Sequence, residues 1–177
     1  MTVSAMLHFI SIGDHKLMRK LNNWRAPRWV RLWSLAATRA GDGWLWYLFG
    51  LVIAIWGGVT RWSALGAAGS AALIGTAIFI SLKHVSGRKR PCEIEPHCWA
   101  TLLPPDQFSF PSGHTITAFS VGMALAAFYP FLLPVLLFCA ISIGASRVLL
   151  GMHFLSDVLA GAAIGTVLGL TAAQFFA

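Results

Sequence analysis

Three short polar strings interrupt an otherwise apolar chain. In chain order they are Lys83 to Arg90-Pro91, then Pro111-Ser112-Gly113-His114, and then Ser146-Arg147 followed by His153 and Asp157. Together they supply three cations, two histidines and one carboxylate. Cations bind and stabilise phosphate oxygens, and a histidine can attack phosphorus as a nucleophile. The set is therefore typical of phosphoester cleavage through a phosphohistidine.

The candidate phosphate-binding residues are Lys83, Arg90, Ser112, Gly113 and Arg147. Arginine binds phosphate oxygens through a planar fork, and lysine acts as a point charge. Ser112 and Gly113 add hydroxyl and backbone N–H donors at the start of a predicted helix, where the helix dipole also favours an anion. In the spacer of the first string, Arg88 and Lys89 are expected to line the rim of the pocket or to meet lipid headgroups.

The two histidines are predicted to have different catalytic roles. His153 and Asp157 are four residues apart, so on a helix they share a face and can touch. Asp157 would accept from one ring nitrogen and leave the other free to attack phosphorus. His114 has no such partner in its string and is predicted to be the general acid. Each feature alone has a structural alternative: an interfacial anchor, a hydrogen-bonded pair or a helix cap.

Composition places this chemistry at a membrane. Of 177 residues, 57% are hydrophobic and only 11% are charged, whereas soluble domains contain about 25% charged residues. The net charge is +7. The basic residues lie in the first forty positions or between apolar runs, which indicates anionic lipid headgroups as partners rather than nucleic acid. Polar sites beside membrane helices are usually functional, so the predicted substrate is a phosphate carried by a lipid.

Apolar runs predict an all-α membrane helix bundle that forms one domain over residues 1–177. The five runs are Trp44 to Val59, Trp62 to Leu82, Thr115 to Tyr129, Phe131 to about Leu150, and about Val158 to Phe176. Residues 1–40 read as basic amphipathic helices in the membrane interface, with Pro27 starting the second; a partly ordered tail is the alternative. Residues 83–111 form the main loop on the active-site side.

Successive spans alternate in direction, which brings the three strings together. The second span ends at Lys83, the third begins after His114, the fourth ends at Arg147 and the fifth begins after Asp157. All four ends lie on one side of the membrane. In the last run, glycines at 161, 165 and 169 recur every fourth position. This spacing favours close helix packing, with a gap for a lipid chain as the alternative.

With these motifs the chain closely resembles the type 2 phosphatidic acid phosphatase family, membrane relatives of vanadium-dependent haloperoxidases. All three family motifs are matched from Lys83 to Asp157 without substitution. The resemblance implies a metal-independent phosphatase without a cofactor, in which His153 is the nucleophile, Asp157 orients it and His114 is the acid. Five spans with an interfacial segment resemble the short bacterial members that act on undecaprenyl diphosphate.

The motifs recognise only phosphate, so several functions remain open. Undecaprenyl diphosphate is favoured because the chain is short. Phosphatidylglycerophosphate, phosphatidate and lipid A phosphate are alternatives, as is a lipid phosphotransferase that uses the same intermediate. A lipid-binding or scaffold protein without catalytic activity is a further class. The oligomeric state is left open.

Orientation rests on conflicting signals. All Lys and Arg residues except Arg61 fall on the predicted active-site face, which the positive-inside rule would place in the cytoplasm. Several of those cations, however, serve an anionic ligand. Cys92 and Cys98 suggest a loop disulfide, with a metal site including His97 or two unpaired thiols as alternatives. Together with the family resemblance, the cysteines favour a bacterial inner membrane protein with its active site on the periplasmic or extracellular face.

Overall fold

The computed structural model describes residues 3–94 and 107–177. Within these ranges the chain forms eight α-helices. They are α1 (Val3–Asn22), α2 (Arg28–Ala40), α3 (Trp44–Trp56), α4 (Arg61–Ser86), α5 (Pro91–Ile94), α6 (Gly113–Phe128), α7 (Leu133–Leu149) and α8 (Leu155–Phe176). Short 3-10 turns at Gly58–Thr60 and Pro130–Leu132 precede α4 and α7.

Helix α6 lies at the centre of the bundle, packed against α4, α7 and α8. The buried core contains many small residues, among them the fully buried Ala64, Ala67, Ala71, Ala118 and Ala124. Small side chains let helix backbones approach closely, which is how helices associate in lipid. Around this centre, α3 packs on α4, α2 on α7, and α1 on α8.

The outer surface is that of a multi-pass membrane protein. In the described part of the chain, three helical stretches are long and apolar enough to cross a bilayer: Gly58–Ser86, Pro130–Leu149 and Leu155–Phe176. Their outward faces expose large apolar side chains such as Leu73, Phe138 and Val167. The predicted all-α polytopic bundle is confirmed. Helices α3 and α6 are apolar but have only 13 and 16 residues, so the count of five spans stays a prediction.

Two helix starts matter for the site. Helix α3 begins at Trp44, as its apolar run does, after a turn at residues 41–43 in which Gly43 adopts a φ of 118° that other residues rarely adopt. Helix α8 begins at Leu155 rather than near Val158. His153 therefore precedes the helix, and Asp157 lies in its first turn.

The first forty residues form helices α1 and α2. Pro27 is the residue immediately before α2, where its missing N–H costs nothing. Asp14 and Met18 of α1 are buried, so this helix is docked on the bundle. The helical part of the amphipathic prediction is confirmed, while its position in the membrane interface stays a prediction.

A stripe of glycines brings α8 against α6. A Cβ atom built at Gly161 would lie 2.9 Å from the Ser112 carbonyl oxygen, and one at Gly165 would lie 2.5 Å from that of Ile116. At Gly169 it would also overlap the α6 backbone. The predicted close packing is confirmed, and the alternative of a lipid gap along this stripe is wrong, because the space is filled by the α6 backbone.

We expect Gly165→Ala to lower the thermal unfolding midpoint of the detergent-solubilised protein. Its new methyl group would meet backbone atoms, so α6 and α8 must separate, and overpacking of this kind costs about 1–3 kcal/mol. The matched control is Gly69→Ala on α4, where nothing lies within 4 Å of the added Cβ. Equal midpoints for the two variants would contradict the packing described here.

Candidate active site

The predicted site residues converge on one cavity of about 600 Å³. Six of them line it: Lys83, Arg90, Gly113, His114, Arg147 and His153. They come from the end of α4, the start of α6, the end of α7 and the connections that follow α4 and α7. The alternation of helix direction thus places the three motifs side by side.

Three buried cations surround this cavity. Lys83 is 7% exposed, and its Nζ lies 5.2 Å from the centre of the Phe79 ring. Arg90 is 1% exposed and donates from Nη1 to the Met152 carbonyl oxygen at 2.8 Å. Arg147 donates from Nη1 to the Thr38 hydroxyl at 2.5 Å. Clustered cations with low-dielectric walls concentrate a positive potential that attracts an anion.

His153 lies in the turn between α7 and α8, fully buried. Its Nδ1 is 2.6 Å from the carbonyl oxygen of Ser109. A carbonyl oxygen can only accept, so Nδ1 carries the proton and Nε2 carries the lone pair. Nε2 lies 3.2 Å from Nη1 of Arg90, which donates to it. The ring nitrogen that carries the lone pair therefore lies beside one of the candidate phosphate-binding cations.

Asp157 does not make the predicted hydrogen bond to His153. Its Oδ2 lies 3.8 Å from Nδ1, beyond hydrogen-bond range. The reason is the helix boundary: Asp157 lies in the first turn of α8 and accepts from the Phe154 backbone N–H at 2.8 Å. The carbonyl of Ser109 fixes the tautomer instead, and Asp157 acts on the imidazole ring as a nearby negative charge.

The surroundings of His153 favour its neutral form. Burial lowers the pKa of His153 to about 4; Asp157 opposes this shift, while Arg90 and Arg147 add to it. At neutral pH the ring is therefore uncharged and its Nε2 lone pair is available, as a nucleophile requires.

Arg88 does not line the cavity, and its predicted contact with lipid headgroups stays a prediction. It bridges two carboxylates, donating from Nη1 to Asp157 and from Nη2 to Asp14, both at 2.7 Å. Asp14 also accepts from the Ser156 hydroxyl and, at 3.1 Å, from its backbone N–H. The positive charge of Arg88 is thus paired with two carboxylates. It also ties α1 to the start of α8.

Ser112 and Gly113 occupy different environments. Gly113 lines the cavity. Ser112 is fully buried, accepts a hydrogen bond from the Thr115 hydroxyl at 2.9 Å and donates its backbone N–H to the Asp157 carbonyl oxygen at 3.2 Å. Ser112 is not among the residues that line the cavity, and its predicted contact with phosphate stays a prediction.

His114 has a partner that sequence reasoning missed. Its Nε2 lies 2.8 Å from Oδ1 of Asp42, in the turn between α2 and α3. The only sequence signal was an acidic residue between two glycines, immediately before the first apolar run. Thr38 and Asp14, which contact Arg147 and Arg88, were also missed. All three lie in the first 42 residues.

Away from the cations the cavity is apolar. It continues between α3, α4 and α6, where its lining residues include Trp46, Gly50, Leu65, Ala68, Gly69, Leu73, Val121 and Leu125. Nothing lies within 4 Å of a Cβ built at Gly69, so this wall stays open. A cavity with cations at one end and an apolar wall at the other suits an amphipathic anion.

Residues 95–106 of the 83–111 loop lie outside the described residues, and Cys98 and His97 with them, so the metal alternative stays a prediction. Cys92 carries a free thiol, which contradicts the predicted disulfide. Within residues 3–94 and 107–177, no group of three or more His, Cys, Asp or Glu side chains could hold a metal ion.

Similar sequences include several bacterial phosphatases. The chain is 36% identical over 100 residues to a lipid A 1-phosphatase of Rhizobium johnstonii, covering 54% of this chain and 41% of the relative. It is 33% identical over 102 residues to a decaprenylphosphoryl-5-phosphoribose phosphatase of Mycobacterium tuberculosis, covering 58% of this chain and 55% of the relative. The chain thus spans about half the length of the curated relatives it matches.

Two solved membrane proteins share the fold. A transmembrane PAP2 type phosphatidylglycerolphosphate phosphatase from Bacillus subtilis has a TM-score of 0.73 and 25% identity, over 94% of this chain and 85% of that one. Aquifex aeolicus LpxE has a TM-score of 0.73 and 28% identity, over 90% and 93%.

The match to a family model covers the helices that carry all three motifs. The model of the PAP2 superfamily aligns with residues 62–177, a segment that includes every motif residue from Lys83 to Asp157. On this match, and on the arrangement of those residues around one cavity, the chain belongs to the PAP2 superfamily.

Proposed function

We propose that this protein is a lipid phosphate phosphatase that works through a phosphohistidine on His153. The observation that carries the proposal is the position of Nε2. It bears the lone pair of a buried neutral imidazole and lies at the cationic end of a cavity whose other end is apolar. A lipid phosphate can place its phosphorus near Nε2 and its hydrocarbon along α3 and α4.

In the first step Nε2 attacks phosphorus, a P–N bond forms, and the bond from phosphorus to the leaving oxygen breaks. His114 protonates that oxygen as a general acid. Arg90, which holds Nε2 in the free enzyme, turns its N–H donor to a phosphate oxygen. With Lys83 and Arg147 it stabilises the charge that spreads over the transferring group.

In the second step water attacks the phosphohistidine. His114, now neutral, takes a proton from the water, the P–N bond breaks, and inorganic phosphate leaves. Asp157, 3.8 Å from Nδ1, stabilises the positive ring of the intermediate. A phosphotransferase would differ only in the acceptor, since a lipid hydroxyl would replace water in this step.

The first substrate candidate is undecaprenyl diphosphate. The cavity wall becomes apolar directly beyond the cations, which suits a diphosphate attached to an isoprenoid chain without a glycerol or sugar between them. Of the polar residues on that wall, Thr76 already donates its hydroxyl to the Ala72 carbonyl oxygen. A lipid A phosphate is the second candidate, favoured by the 36% identity with a lipid A 1-phosphatase. Phosphatidylglycerophosphate and phosphatidate remain alternatives.

The proposed location is the bacterial inner membrane, with the site on the periplasmic or extracellular face. Basic side chains on α1, α2 and their connection are exposed at the end of the bundle that holds the site, among them Lys16, Lys20, Arg25 and Arg28. They can bind anionic headgroups and hold α1 and α2 in the membrane interface.

Purified protein should release phosphate from a lipid phosphate in excess EDTA. Lys83, Arg90 and Arg147 supply the positive charge that a metal would otherwise provide. The assay compares undecaprenyl diphosphate, a lipid A phosphate, phosphatidylglycerophosphate and phosphatidate, and we expect the highest kcat/KM with the first. A second series adds an acceptor lipid to detect phosphotransfer. Release that requires added Mg²⁺, or no release from any of the four, would overturn this proposal.

His153→Gln should abolish phosphate release, with a loss of at least about a thousandfold, because the amide cannot attack phosphorus. The matched control is His84→Gln, in the last turn of α4 and exposed, which should keep its activity. Brief reaction of the unmodified protein with ³²P-labelled substrate should leave an acid-labile label that His153→Gln lacks. Activity of His153→Gln comparable to that of the unmodified protein would rule out the phosphohistidine.

Cysteine labelling can test the orientation. In a cysteine-free background, Arg39→Cys marks the active-site end and Val59→Cys marks the other end of α4; both positions are exposed. The 26 residues of α4 span about 39 Å, enough to separate the two probes by a bilayer. In intact cells an impermeant thiol reagent should label position 39 only. Labelling of position 59 alone would place the site in the cytoplasm.

A further inference from the structure

We propose that Asp42 is a positioning residue for the general acid His114, supplied by a segment that precedes the family match. Asp42 Oδ1 lies 2.8 Å from Nε2 of His114, and both residues line the cavity. The proposal deepens the function proposed above and rests on it, because it assigns a partner to the acid of that reaction.

The turn that carries Asp42 is shaped to reach His114. A Cβ at Gly41 would lie 2.8 Å from a methyl carbon of Ile143 and 3.2 Å from Cδ2 of His114, so only glycine fits at this distance. On the other side of Asp42, the φ of 118° at Gly43 suits glycine as well. Both neighbours of Asp42 therefore need to be glycine for the turn to lie against the ring.

Helix α2 fixes that turn to the rest of the site. Thr38, one helical turn before Asp42, accepts the 2.5 Å hydrogen bond from Arg147. Farther back, Val30 and Ala26 are buried and pack with Leu149 of α7. The carboxylate is thus held by a helix docked on α7, the helix that also carries Arg147.

The contact assigns the two ring nitrogens of His114. Asp42 accepts from Nε2–H, so Nδ1 is left to exchange a proton with the leaving oxygen and later with water. A carboxylate bonded to one nitrogen holds the ring in one orientation and stabilises it when the other nitrogen is protonated. The side chain of Asp42 is 44% exposed, so water screens its charge, and we expect its main effect to be orientation.

The experiment compares leaving groups. A general acid matters for an alkoxide, which needs a proton to leave, and matters little for a nitrophenolate, which does not. The value of kcat/KM reports only steps up to the first irreversible one, so it isolates leaving-group departure from hydrolysis of the intermediate. The probes are a short-chain alkyl phosphate and 2,4-dinitrophenyl phosphate. The variants are Asp42→Asn, His114→Gln and the double variant, with Arg39→Gln as an exposed control on the same helix.

Asp42→Asn should lower kcat/KM for the alkyl phosphate about tenfold and change that for the dinitrophenyl ester less than about twofold. In the His114→Gln background it should have no further effect, because its action passes through the ring. Arg39→Gln should leave kcat/KM unchanged for both esters. Equal losses on both esters, or an additive loss in the double variant, would overturn the role of Asp42.

The same data separate this inference from the function on which it rests. If the unmodified protein hydrolyses neither ester, the proposed phosphatase activity fails. If His114→Gln shows no dependence on the leaving group, the assignment of His114 as the acid fails. If His114→Gln shows that dependence and Asp42→Asn does not, only the Asp42 inference fails.

Discussion

The mutual repulsion of three buried cations is the constraint on which this structure depends. Lys83, Arg90 and Arg147 surround one cavity with less than a tenth of their surface exposed. In the contacts described above, the two arginines donate to neutral oxygens of Met152 and Thr38. Of the nearby carboxylates in the described residues, Asp14 and Asp157 pair with Arg88, and Asp42 pairs with His114. A phosphate dianion bound in the cavity would lie among the three cations that surround it and would offset their mutual repulsion.

Close helix packing maintains this charge arrangement. The glycine stripe of α8 brings its backbone against α6, and the Ser112 N–H then donates to the Asp157 carbonyl oxygen at 3.2 Å. This bond joins the start of α6, which carries His114, to the start of α8, which follows His153. Ser112 thus contributes through its backbone to the geometry of the site. The glycines of α8 allow its backbone to contact the α6 backbone directly. A larger side chain at these positions would push the two helices apart and shift the site residues at their ends.

The sequence was enough to predict which residues meet at the site, because this depends on span direction and residue type. It did not predict their hydrogen-bond partners, which depend on backbone geometry. The ends of four apolar runs were enough to bring Lys83, His114 and Arg147 together, because helices that alternate across a membrane leave little choice. The carbonyl of Ser109 has no sequence signature, so the group that fixes the His153 tautomer was beyond reach. The spacing of His153 and Asp157 is the same whether or not both residues lie on one helix. Only the start of α8 at Leu155 shows that His153 precedes the helix. Asp42 belongs to no periodic pattern and reads as part of a turn.

The contacts that the sequence did not predict for Arg88, Arg147 and His114 all come from the first forty-two residues. The family match begins at residue 62, yet Asp14, Thr38 and Asp42 each contact a residue of the motif region. The helices that carry them have exposed basic side chains on their other faces. If these helices lie on anionic headgroups, the same two helices bind the membrane surface and hold the candidate catalytic side chains in place. A shift of α1 or α2 relative to the membrane would then move the residues that contact Arg88, Arg147 and His114. The segment before the family match thus contacts the candidate site directly, through Thr38 on Arg147 and Asp42 on His114, although its sequence reads as a peripheral membrane anchor.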